Sequence, residues 1–357
     1  MLRYILMCFI LVAAPLASAT NLRPGILTPV GQGVGVYPGR VVWTHAPGRF
    51  NAPPGASDWS ANAYSPTQAI DSMIRMGLAG LAGTDNDTRA WDLIFRDFNR
   101  RHQKPATPYR SGEKIVVLID NRYSQWHYNS TQANTTPQVV VALVESLIDA
   151  GVNPQDITVV EPTAWLPDGI YATLRRHYRL IGMIDATGAE GYGKVAYRRG
   201  PHHNCKMESA TAGADYIINV PVLRAATLPS ANLARAVHGG IHAPYEDLEG
   251  RCLLTVVDAI YSSLEANAKP RILWRDEPFN NQWPSSLLFS QDSVAADAVA
   301  ADLLATQGLQ VEGAEERLGT AARYGFGTAE HWQANHDPLY SRNLGSPLGI
   351  ELIYTTL

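Results

Sequence analysis

Residues 283–304 read WPSSLLFSQDSVAADAVAADLL, and the way this stretch turns decides the architecture. Ser286 to Ser290 is a short apolar run of strand length. It stops at Gln291-Asp292, and a helical run follows at once. Asp292 or Ser293 suits the helix cap, because a short side-chain oxygen accepts an orphan N–H of the first turn. Val294, Ala295, Ala298, Val299, Ala301, Leu303 and Leu304 make the helix apolar almost all round, the pattern of a buried helix. Asp297 sits inside that pattern, one turn from Val294 and Ala301 on one face. A buried carboxylate is costly unless it is paired, hydrogen-bonded or protonated. The segment therefore predicts a strand-to-helix turn with one carboxylate at its mouth and a second facing the packed side. Both are readable as structural ties or as parts of a polar site.

Outward from this unit, strands and helices alternate. The pattern predicts strands over 114–119, 157–160, 180–184, 216–222 and 253–257, and helices over 137–150 and 167–178. Such alternation argues βαβ crossovers. The expected class is α/β, a mostly parallel sheet with helices on both faces and room for two subdomains. Upstream, residues 66–81 carry helical spacing, as does a second run capped by Asp87 or Thr88 whose basic last turn ends at His102, and 40–45 reads as a short strand. Downstream, helices are expected near 314–323 and 330–334 and a strand over 349–354.

Residues 1–19 read as a cleaved signal peptide. Arg3 gives the positive start, Tyr4 to Ala14 the apolar stretch, and Ala17-Ser18-Ala19 a small-residue cleavage site. The stretch is too short to span a bilayer as an anchor. The expectation is an exported protein, periplasmic or secreted, and not an integral membrane protein once processed. Residues 20–65 read as an extended Gly/Pro-rich arm, and 66–357 as the α/β region. The formal charge of −4 offers no cationic field for nucleic acid. Cys205 and Cys252 would remain after processing, as a disulfide, as thiols or as metal ligands.

The opening stretch also carries a family resemblance. Ser290-Gln291-Asp292-Ser293-Val294-Ala295-Ala296-Asp297-Ala298-Val299 resembles the S-x-D-P-V-A-x-D-A-V signature of the domain of unknown function 362 family, with Ser293 in place of the usual Pro. Gly112-Glu113-Lys114-Ile115, then Asp156 to Val160, Ala214-Asp215-Tyr216-Ile217-Ile218-Asn219-Val220-Pro221-Val222-Leu223, and Leu253 to Ile260 resemble its other strands in the same order. The resemblance runs from Arg40 to the C-terminus and implies a fold rather than an activity, because the family has no general assigned reaction. This chain departs from it at several points. Leu118 stands where members often carry Lys. Arg224-Ala225-Ala226 replaces a Lys-x-His, and Arg235 to Gly240 a Lys-Asn pair. Arg holds an anion as Lys does, but it is no base near neutral pH. Some members carry a Cys-rich iron–sulfur segment; no C-x-x-C occurs here, so no such cluster is expected.

Ligands of parallel α/β sheets bind beyond the C-terminal ends of the strands. That rule selects Asp120, Asn121, Glu161, Asp185, Asn219, Arg224, Asp258 and Asp292. Asp258, Asp292 and Asp297 are the candidate acid/base or metal-holding groups. Asn219, Arg224 and Arg235 are the candidate substrate contacts, with the arginines suited to a carboxylate or phosphate. His202, His203, Cys205, His238 and His242 form a second set whose imidazole and thiolate ligands would suit a divalent metal. Their spacing fits no standard site. The expectation is a metal-assisted or acid/base enzyme acting on a small polar or anionic substrate. The alternatives are a metal- or solute-binding protein and a scaffold that has lost its chemistry. Asn219, Arg224, Asp258 and Asp292 are expected to share one cleft, with His238 at its rim.

Overall fold

A computed structural model describes residues 28–121, 133–162, 164–185, 197–199, 206–225, 228, 237–238, 249–263, 273–332 and 339–357. Among them, in chain order, the strands are β1 (Val30–Gly31), β2 (Arg40–His45), β3 (Ile115–Ile119), β4 (Ile157–Glu161), β5 (Gly182–Asp185), β6 (Tyr197–Arg199), β7 (Lys206–Glu208), β8 (Tyr216–Val220), β9 (Val222–Arg224), β10 (Val237–His238), β11 (Cys252–Ser263), β12 (Ser286–Ser290), β13 (Thr328–Ala329) and β14 (Glu351–Thr356). The helices are α1 (Thr67–Ala82), α2 (Asp87–Arg101), α3 (Pro137–Asp149), α4 (Asp168–His177), α5 (Ser209–Ala212), α6 (Ser293–Thr306) and α7 (Ala314–Arg323).

Nine strands form one sheet in the order β14-β2-β12-β11-β8-β3-β4-β5, with β9 also paired to β11. Every neighbouring pair is parallel except the two that involve β12, which runs against both β11 and β2. The helices between β3, β4 and β5 supply the crossovers that parallel pairing requires. Central parallel strands are covered on both faces and so read as continuous apolar runs. Ile115-Val116-Val117-Leu118-Ile119 is such a run and is buried throughout.

Alternation along each strand divides these side chains between two layers. Ile115, Val117 and Ile119 pack with Val139, Val140 and Leu143 of α3 and with Ile94, Phe95 and Phe98 of α2. Val116 and Leu118 point to the other face, with Val160 and Ile217. On that second face α6 and α7 cover Val41, Trp43, Val257, Ala259 and Leu288. Helices therefore lie on both faces, as the alternation predicts. Asp292 caps α6, its Oδ1 accepting from Ala295 N at 2.9 Å. Asp297 is wholly buried within that helix, and Asp302 almost so.

One close approach limits α1. A Cβ on Gly77 would stand 2.2 Å from the Phe289 ring of β12. Alanine gains about 1 kcal/mol of helix propensity over glycine. Overpacking a tight core costs about 1–3 kcal/mol, and an aromatic ring sandwiched in a core has little room to yield. Gly77→Ala is expected to be net destabilising by about 1 kcal/mol, read from the urea midpoint. A stabilised variant would show that Phe289 has room to move.

The structure departs from the sequence reading in three places. β2 is the strand expected over 40–45, but it is an inner strand between β14 and β12 and not part of an extended arm. β11 extends to Ser263, well beyond the apolar run that suggested it. Residues 330–332 are not helical; they follow the short strand β13, which pairs with β1. Among the described residues no helix is long and apolar enough to cross a membrane.

Candidate functional site at the carboxyl edge of the sheet

Register places the strand ends at one level. Leu118 of β3 lies opposite Asn219 of β8, and Asn219 opposite Thr255 of β11. Glu161 of β4 lies opposite Asp185 of β5. β11 runs on past the end of β8, so Asp258, whose N–H donates to Pro221 O at 2.8 Å, sits at the same edge. Asp120, Asn121, Glu161, Asp185, Asn219, Arg224 and Asp258 are thus brought together, and each is essentially inaccessible to solvent.

Burial forces every one of these groups to find partners. Arg224 donates through its guanidinium to Oδ2 of Asp120 and to the carbonyl of Ala133. Val222 N also approaches Asp120 Oδ2, at 3.4 Å. The Thr135 hydroxyl accepts from Asp120 N at 2.8 Å, and Asn121 Oδ1 accepts from Thr135 N at 3.1 Å. Glu161 accepts from Asn121 N at 2.5 Å, and Asp185 from Leu166 N at 3.1 Å. Each carboxylate therefore holds backbone that follows a strand end, bracing the loops of this edge.

Asp258 is the group with the most chemical latitude. Its Oδ2 accepts from Thr136 N, at the start of α3, at 2.6 Å, and its Oδ1 from Ile260 N at 3.0 Å. Burial raises its carboxyl above the usual range, opposed by those two N–H groups and by the charge of Arg224. A carboxyl raised in this way is suited to exchanging a proton with a bound substrate.

The other candidates lie elsewhere. Because β12 is antiparallel, with Ser290 opposite Thr255 and Leu287 opposite Asp258, its C-terminal end points to the amino edge of the parallel strands. Asp292 is therefore roughly 15 Å from Asp258 along the strand axis, and the expected shared cleft does not include it. Its carboxylate binds Val34 N and Thr328 N, both at 3.1 Å, as well as the α6 turn. Asp297 is wholly buried on α6. His202, His203, Cys205, Arg235 and His242 lie outside the described residues. His238 belongs to β10, opposite Lys206 of β7, but its side chain lies outside them too. Among the described residues no group of three or more His, Cys, Asp and Glu is placed to hold a metal ion. Cys252 is buried, its sulfur 3.6 Å from the Ser293 hydroxyl; its expected partner Cys205 lies outside the described residues.

The sequence reading did not single out Thr135 and Thr136. Their signal was present: Asn134-Thr135-Thr136 directly precedes Pro137, a cap-then-proline helix start. No family model and no curated protein matches the chain.

Proposed function

We propose that this protein is an exported α/β enzyme that performs acid/base chemistry on a small polar substrate at the carboxyl edge of its sheet. Asp258 is the proton-transferring group, oriented by Thr136 N and Ile260 N and acted on by the charge of Arg224. The observation that carries the reading is the raised, buried carboxyl of Asp258 beside a guanidinium, at the edge where α/β sheets bind ligands. Among the described residues Asp120, Glu161, Asp185 and Asp258 stand against Arg224. Arg224 is already engaged by Asp120. The resemblance to the domain of unknown function 362 family assigns no reaction. A metal-assisted version would draw its ligands from His202, His203, Cys205, His238 and His242.

A second reading is a non-catalytic binding protein. The observation favouring it is that each carboxylate of the edge holds backbone N–H groups, as a preformed receptor would.

Both are tested by incubating purified protein with pooled small polar metabolites and following each component by mass spectrometry. A component consumed by the wild type should be consumed about 10²-fold or more slowly by Asp258→Asn, the scale of general acid–base catalysis. Retention of a component on the protein without consumption supports the binding reading. Equal turnover by the variant removes Asp258 from the mechanism.

A further inference from the structure

β13 is followed by an imidazole held between two helices. His331 Nδ1 lies 2.6 Å from Asp302 Oδ1 of α6, and its Nε2 lies 2.8 Å from Glu315 Oε1 in the first turn of α7. Asp302 Oδ2 also accepts from the Tyr340 hydroxyl at 2.8 Å and from Trp332 N at 3.0 Å. The groups that meet the ring differ in environment. Asp302 and His331 are buried, whereas Glu315 keeps 41% of its side chain in water.

The proton count on this trio is informative. A neutral imidazole has one N–H and one lone pair. It can donate to one carboxylate, but its bare nitrogen would then face the oxygen of the other at hydrogen-bond distance, lone pair against lone pair. With both carboxylates charged, only the imidazolium makes both contacts attractive. The Nε2 contact is off the line of a hydrogen bond and acts as an ion pair. The N-terminal end of α7 disfavours a nearby cation. That opposition is a partial charge, whereas Asp302 and Glu315 each bring a full one.

We propose that His331 is a pH-sensitive clasp. In its doubly protonated form it ties α7 to α6 through Glu315 and Asp302, and it releases the first turn of α7 when it loses a proton. Asp302 is the fixed half, since Tyr340 and Trp332 hold it whatever the state of the ring. Glu315 is the releasable half, because water can solvate it. The sign follows from the protonated ring being the bonded form. The stabilisation is present at low pH and is lost as pH rises through the titration of the ring.

The test uses the whole protein. Long-range ¹H–¹⁵N spectra of the histidine rings should show both nitrogens of His331 protonated in mildly acidic buffer. Raising the pH should reveal one bare nitrogen. Over the same interval hydrogen exchange of the α7 amides, corrected for the intrinsic rate, should quicken about threefold, the worth of a half-exposed ion pair. Glu315→Gln, a partly solvated and conservative change, should already exchange at the faster rate at low pH and show no step. A neutral ring throughout would overturn the proposal. So would a step in α7 exchange that persists in Glu315→Gln.

Discussion

Arg224→Met is expected to lower the unfolding free energy by about 3–5 kcal/mol. The guanidinium and the Asp120 carboxylate are both wholly buried and directly paired. Removing the cation leaves a carboxylate in the interior without its counter-charge and takes a donor from the Ala133 carbonyl. The cost comes from the stranded partner, not from the intrinsic worth of the pair, and a second substitution separates the two. Asp120→Leu combined with Arg224→Met removes both charges. It should recover much of the loss, because buried pairs replaced by apolar groups are often neutral. Recovery will be incomplete, since Ala133 O lacks its donor in both variants and the double variant also takes Asp120 Oδ2 from Val222 N. Urea unfolding of the three proteins measures this. A single variant within 1 kcal/mol of wild type would mean that water reaches the pair, contrary to its burial.

The second large effect is a pH dependence centred on Asp292. Burial pushes its carboxyl up to about 7, against the pull of Ala295 N, Val34 N and Thr328 N and the more distant charge of Arg101. In the unfolded chain the group titrates near its ordinary value of 3.8. Between those limits the folded state binds the extra proton. Its contribution to stability is thus complete below about 4 and is lost as pH rises towards 7. Asp292→Asn cannot ionise. Relative to wild type, the variant should gain on the order of 2–4 kcal/mol between the acidic and the mildly alkaline end. Asparagine also turns an N–H₂ towards donors, so the variant should be the weaker protein in acid. Parallel stability curves would show that the three N–H groups outweigh burial and that Asp292 stays charged throughout.

Much of the sheet could be read from residue pattern, because pattern reports burial. Ile115 to Ile119 and Ser286 to Ser290 are buried on both faces and therefore uniformly apolar. The β3–α3–β4–α4–β5 run follows from alternation alone. Direction is different. Nothing in SLLFS states which way the strand runs, so the end of β12 was expected beside Asp258 when it lies at the opposite edge. Length was also hidden in β11. Its second half carries Asp258 and Ser262, polar residues that break the apolar run but are satisfied or enclosed by neighbours far away in sequence. The Asp302–His331 contact spans 29 positions, and no local spacing announces it. A polar residue recurring inside the all-apolar helix of Asp297 and Asp302 was the available hint. Residues 330–332 do not take up the expected helix because Thr328 and Glu330 are drawn out by backbone partners in β1, Ser341 and Ile350.

The position of β2 has a consequence for how the chain is made. Its two neighbours arrive late: Trp43 meets Ser286 across 243 positions, and Arg40 meets Glu351 across 311. A growing chain presents the Val41-Val42-Trp43 strand with both edges unpaired until most of the remaining sequence has been translated. Such an edge pairs readily with other chains, and loop closure over this span is slow. The β14-β2-β12 side of the sheet can therefore close only after both late strands have been made.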